Sequence, residues 1–152
     1  MMHFVDTKVR GNQVIERLYA RYMPSPFLSI LIDDCIVKGL DYNEGGARYN
    51  TTYIQGVGIG TITDSLAAIK LHVFENQTLT MDDLLGLLKG DFAGHERERL
   101  LFVNKSPKYG NDDDCADSTM VTVFNAYHDA VTGRKNTRGG YYAIDIDRKS
   151  VV

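Results

Sequence analysis

The chain carries only two cysteines, Cys35 and Cys115, in 152 residues, too few for a disulfide framework. A reducing cytoplasm is therefore the expected compartment. On that expectation the glycosylation-pattern matches at Asn50, Asn76 and Asn104 are chance, because that chemistry requires secretion. No apolar run approaches the roughly 20 residues of a membrane span. The opening MMHFVDTKVR lacks the uninterrupted apolar core of a secretory leader. No run of lysine and arginine interleaves with aromatics, and the net charge is −3. Neither a nucleic-acid groove nor an anionic membrane surface is a natural partner. The four histidines, His3, His72, His95 and His128, show no H-x-x-H or H-E-x-x-H spacing, so no zinc pattern exists. Repeats and low-complexity segments are absent as well.

Hydrophobic residues make up 43% and charged residues 24%, which excludes wholesale disorder and fits one globular domain. Val14, Leu18 and Tyr22 recur at helical spacing, with Ile15 and Tyr19 beside them, and predict an amphipathic helix with one apolar face over residues 6–22; as an excised piece the chain is expected to leave apolar helix faces uncovered. Ser25-Pro26 restarts a helix that runs through FLSILIDDCIVK to Gly39. DYNEGGARYN reads as loop and TTYIQ as a short strand. A third helix passes through Ile62, Leu66, Ile69 and Val73. Thr80 to Asp83 is a capping box ahead of LLGLLK, which closes at Gly90. HERERLLFV is a further short helix. Asp112, Asp113 and Asp114 open a long one whose buried face is Met120, Phe124, Tyr127 and Val131. Gly133 ends it, GRKNTRGG turns, and YYAID begins a strand. Five or six helices with one or two strands cannot complete a sheet of their own. The expected class is α/β, helix-rich, and part of something larger.

QGVGIG places Gly56, Gly58 and Gly60 between a strand and a helix, with Glu75 about twenty residues on. A dinucleotide turn needs G-x-G-x-x-G, and a P-loop needs a Lys-Ser/Thr pair. Both are missing, so these glycines are expected to let backbone pass close to a neighbour, without affinity for ATP or NAD. Asp112, Asp113, Asp114 and Asp117 lack the glycine and distant glutamate of a calcium loop. They suit a helix N-terminus. The same carboxylates oppose a thiolate at Cys115, and Cys35 reads as a small core residue.

The segments PSPFLSILIDDCIVKGLDYNEGGARYNTTYIQGVGIGTITDSLAAIK, PKYGNDDDCAD and NTRGGYY, in that order and spacing, resemble the glycyl radical enzymes of the pyruvate formate-lyase superfamily over residues 1–146. Within it, RYNTTYIQGVGIGTITDSL and FNAYHDAVTGR resemble the branch that dehydrates trans-4-hydroxy-L-proline. Glycerol or propanediol dehydratases, choline trimethylamine-lyase and formate acetyltransferase-like enzymes stand as alternatives. The resemblance implies a ten-stranded α/β barrel wrapped in helices, acting as a homodimer. It implies a backbone glycyl radical installed by an activating enzyme that uses S-adenosylmethionine and an iron–sulfur cluster. It further implies a cysteine thiyl that takes hydrogen from substrate, and a glutamate that manages protons as water leaves. The product would be pyrroline-5-carboxylate.

The sequence also departs from that pattern. The family's cysteine lies in Cys-x-Glu and its radical glycine in Arg-Val-x-Gly-Tyr, and neither motif occurs. Cys35 is followed by Ile36-Val37 and Cys115 by Ala116-Asp117, and the family usually carries tyrosine at the latter position. No catalytic, cofactor-binding or metal residue is therefore assigned. The expectation is an internal piece of an enzyme, inactive alone, with the remainder of the parent chain as its first partner. Residues 147–152, DRKSVV, have no family counterpart and are expected to be a non-native tail, a stretch that the codons GAT-CGG-AAG-AGC-GTC-GTG of a common sequencing adapter would encode. The competing reading is a free-standing helical binding module.

Overall fold

The computed structural model describes residues 1–146; the expected tail, 147–152, lies outside the described residues. Among the described residues two compact units form: Met1–Gly56 with residues 126–146, and Val57–Asn125.

In the first unit α1 spans Met2–Tyr22, α2 Pro26–Leu31 and α3 Cys35–Lys38. A single 3-10 turn, Tyr42–Glu44, precedes β1, Thr52–Gly56. The last turns of α7 (Asp114–Val131) and β2, Tyr142–Ile146, complete the unit. β1 and β2 pair in parallel, with Thr52 beside Tyr142, Ile54 beside Ile144 and Gly56 beside Ile146. The strand expected at YYAID is thus the partner of the strand expected at TTYIQ. Val5 and Val9 of α1, Ile54 of β1, Ala130 and Val131 of α7 and Tyr142 of β2 form one core, with Tyr127 and Ile144 packed on it. That layer of helices on a parallel pair bears out the α/β class.

The apolar helix face left uncovered is as expected, while the start of the first helix and the continuity of the second need correction. The apolar face of α1 is buried only at Val5 and Val9; Val14, Leu18 and Tyr22 are 52%, 49% and 65% exposed. The helix begins at Met2, a turn earlier than its periodicity suggests, and only its first half covers the strands. The predicted helix through FLSILIDDCIVK is broken. Ile32 is extended and Asp34 takes a left-handed φ of 78°. The break lets Asp33 O accept from Arg48 N at 3.2 Å and Asp34 accept from the Arg48 guanidinium at 2.8 Å. α3 ends at Gly39 (φ 64°), as its position suggests.

In the second unit α4 covers Ile59–Ile69 and widens into a π-helical turn, Lys70–Glu75. α5 is Met81–Lys89 and α6 Glu96–Asn104, and most of α7 belongs here. The capping box at α5 is made: Asp83 N donates to Thr80 Oγ1 at 3.2 Å, and Thr80 N to Asp83 Oδ2 at 3.0 Å. No helix among the described residues is long and apolar enough to cross a membrane.

Candidate functional site: a latched parallel strand pair

The glycine turn has the role its composition suggests. A Cβ on Gly56 would lie 2.8 Å from Tyr127 Cε1. The ring crosses β1 there, and its hydroxyl donates to Ile54 O at 2.6 Å. Gly58 (φ 76°) is the left-handed residue that starts α4, a conformation that costs glycine little. Gly60 is buried within that helix, and Glu75 is exposed, 3.6 Å from Lys70.

At the amino end of the strands the sequence builds a polar latch. Thr52 on β1 donates to Glu16 Oε1 of α1 at 2.6 Å. The other oxygen of Glu16 accepts from Thr137 N and Oγ1, at 3.0 and 2.6 Å. Burial opposes charge on Glu16, but the hydrogen bonds from Thr137 and Thr52 and the Arg138 charge hold its pKa below the usual value. Asn136 donates to Asn50 O and to Thr52 Oγ1, the latter at 2.9 Å. Its oxygen accepts from Arg138 N and Gly140 N. Arg138 reaches Thr51 O and Thr52 Oγ1 and lies over the Tyr42 ring. A cleft of about 230 Å³ opens beside Glu16 and Arg138. Together these hydrogen bonds tie β1, α1 and the 133–140 turn to one another.

The opposite face of the strand pair is bare. Alternation turns Thr52, Ile54 and Gly56 toward the helices and Tyr53 and Gln55 away. Ile54 is 8% exposed and Tyr53 63%. On β2, Tyr142 is buried while Asp145 is exposed. Register sets Gln55 beside Asp145 and Tyr53 beside Ala143.

The remaining candidate residues do not converge. Cys35 is buried and Cys115 half-buried, and neither pairs with the other. Asp113 Oδ1 accepts from Cys115 N and Ala116 N, at 3.0 and 3.3 Å, which is the helix-start role expected of the acidic cluster. Asp112 adopts φ 56° just before it. His3 stacks edge-on against Phe4, and His95 lies 3.8 Å from Glu98. His128 lies 3.3 Å from Asp129. His72 is 3% exposed, with Nε2 3.1 Å from Ser106 Oγ and burial pulling its pKa down. Among the described residues no group of three or more His, Cys, Asp or Glu could hold a metal ion. An apolar cavity of about 570 Å³ in the second unit is lined by Ala68, Leu84, Leu88, Phe92 and Phe102. Asp64 at its edge is occupied by Tyr109 N at 2.8 Å. Sequence reading missed the latch, whose members sit in three separate segments with no local motif. The alternation in TYIQG was the available sign of the bare face.

Known proteins share this arrangement. The sequence profile described as pyruvate formate lyase-like matches residues 1–148. The chain is 56% identical over 144 residues to trans-4-hydroxy-L-proline dehydratase of Clostridioides difficile, covering 95% of this chain and 18% of that protein. It is 34% identical to (2S)-3-sulfopropanediol dehydratase of Klebsiella oxytoca, over 93% of this chain and 17% of the other. The crystal structure of the C. difficile hydroxyproline dehydratase with trans-4-hydroxy-L-proline bound superposes with a TM-score of 0.90, over 94% of this chain and 18% of that one. A glycyl radical enzyme from Archaeoglobus fulgidus, 42% identical, gives 0.86 over 94% of this chain and 18% of its own. The chain thus spans less than a fifth of the length of these relatives. A helix-backed parallel pair that matches both the family profile and these structures along nearly its whole length has one explanation: the chain belongs to the pyruvate formate lyase-like family.

Proposed function

We propose that this chain is a structural segment of a glycyl radical hydro-lyase that converts trans-4-hydroxy-L-proline to pyrroline-5-carboxylate and water. The observation that carries this reading is the 56% identity to a hydroxyproline dehydratase, against 34% to a sulfopropanediol dehydratase of the same family. The family profile matches residues 1–148, and the role of this segment is to hold two barrel strands against their outer helices. The radical glycine and the cysteine that receives its spin belong to other parts of the parent. Cys35 is enclosed in the fold, and Cys115 lies in the acidic start of α7. Neither has the Cys-x-Glu context of the family's radical chemistry, so no step is routed through a residue of this chain. The parent's partners are an activating enzyme that uses S-adenosylmethionine and an iron–sulfur cluster, and a second copy of itself, in the cytoplasm.

The test is anaerobic turnover with the activating enzyme present. The full-length enzyme that carries this segment is expected to dehydrate hydroxyproline, and the 152-residue chain alone to do nothing. Turnover by the isolated chain would overturn the structural role. A full-length enzyme that accepts a neutral diol and ignores hydroxyproline would overturn the substrate.

A further inference from the structure

We infer that Gln55 and Asp145 form a polar pair that recognises the ring ammonium of a zwitterionic imino-acid substrate; this rests on the substrate reading above. Parallel sheets are covered on both faces, and within the first unit helices cover only one. The bare face presents Gln55 and Asp145 side by side in register. Both are exposed, and so is Tyr53 beside them. A layer of apolar side chains cannot be the missing cover. It would enclose an unpartnered carboxylate, which costs far more than the packing returns. The cover must supply a cation or strong donors at Asp145.

Gln55 sits one residue before β1 ends at Gly56, and the register places Asp145 level with it. In parallel α/β architectures ligands gather at the carboxyl ends of strands. The latch of Glu16, Asn136 and Arg138 lies at the other end, where side chains serve stability. A secondary ammonium has two N–H donors. Asp145 can accept one in a charge-assisted bond, and the Gln55 amide can accept the second through its oxygen or donate to the substrate carboxylate. A neutral diol offers no charge to match Asp145.

The experiment uses the full-length, radical-loaded enzyme that carries this segment, with Asp145→Asn and Gln55→Leu variants. Radical content is read by electron paramagnetic resonance, melting temperature by calorimetry, and KM and kcat with hydroxyproline. Asp145→Asn is expected to raise KM about 10- to 100-fold, the loss of one charge-assisted hydrogen bond. Radical content and melting temperature should stay unchanged. Gln55→Leu is expected to raise KM less. An unchanged KM in Asp145→Asn overturns the assignment while leaving the substrate reading intact. A KM rise matched by a falling melting temperature and lost radical also overturns it, in favour of a purely structural carboxylate. Absence of hydroxyproline turnover with Asp145 in place sinks the substrate reading itself, and this assignment with it.

Discussion

Replacing Gly56 with alanine tests whether close packing explains the glycine turn. The new methyl would sit 2.8 Å from Tyr127 Cε1 and 3.4 Å from Cζ. Ordinary contact begins near 3.4 Å, so the ring must retreat by about 0.6 Å, an overpacking that costs roughly 1–3 kcal/mol. That retreat also pulls the hydroxyl off Ile54 O, now 2.6 Å away, a further loss of about 0.5–1.5 kcal/mol. Alanine recovers about 0.5–1 kcal/mol relative to glycine in a strand. Gly56 is not among the positive-φ residues, so backbone strain adds nothing. The net expectation is a destabilisation of about 0.5–4 kcal/mol. Urea denaturation followed by circular dichroism measures it, on the chain or on the full-length enzyme that contains it. The informative comparison is a double-mutant cycle with Tyr127→Ala. Once the ring is gone the three nearest neighbours of the methyl are removed, and Gly56→Ala should become neutral or mildly stabilising. A coupling of at least about 1 kcal/mol is required. Equal cost in both backgrounds would refute the packing explanation and return the turn to a ligand-binding role.

Other outcomes can be checked with the same methods. His72 is buried, and its folded pKa lies below its ordinary 6.5 because burial penalises the cation. Its stabilising contribution is complete above that value and is lost as pH falls below it. The wild-type unfolding midpoint should drop between pH 7 and pH 5, and His72→Gln should flatten that slope; equal slopes would reject the idea. The carboxylates of Asp6, Glu16, Asp34 and Asp41 are shifted down, so their losses belong to more acid conditions, below about pH 4. Exposed Val14, Leu18 and Tyr22 should make the isolated chain bind a hydrophobic dye and self-associate. Leu18→Glu should reduce both, as read by light scattering. A sharp melt of a soluble wild-type monomer would favour a free-standing binding module.

The elements most legible in the sequence were those whose cause is local. The α5 capping box needs only Thr80 and Asp83, three residues apart, and both hydrogen bonds form. Gly39 ends α3 and the Asp113 carboxylate starts α7 for equally local reasons. The break between α2 and α3 was hidden because its cause, Arg48, lies beyond a loop. The exposure of Leu18 fits a segment expected to leave apolar helix faces uncovered. The latch was invisible because its members lie far apart along the chain. Glu16, Thr52 and Asn136 acquire a common purpose only when β1 meets β2. The pairing of Gln55 with Asp145 required the register, which no single stretch of sequence encodes.

That register has a consequence for synthesis. Thr52 emerges from the ribosome long before its neighbour Tyr142. At ~5–20 residues per second, the first strand waits on the order of 5–20 seconds for the second. During that interval Tyr53 and Ile54 stand on an open edge, able to recruit the same stretch of another nascent chain. Polysomes crowded with this message are therefore where strand-swapped aggregates should first arise, and slowing elongation downstream of Gly56 should increase them.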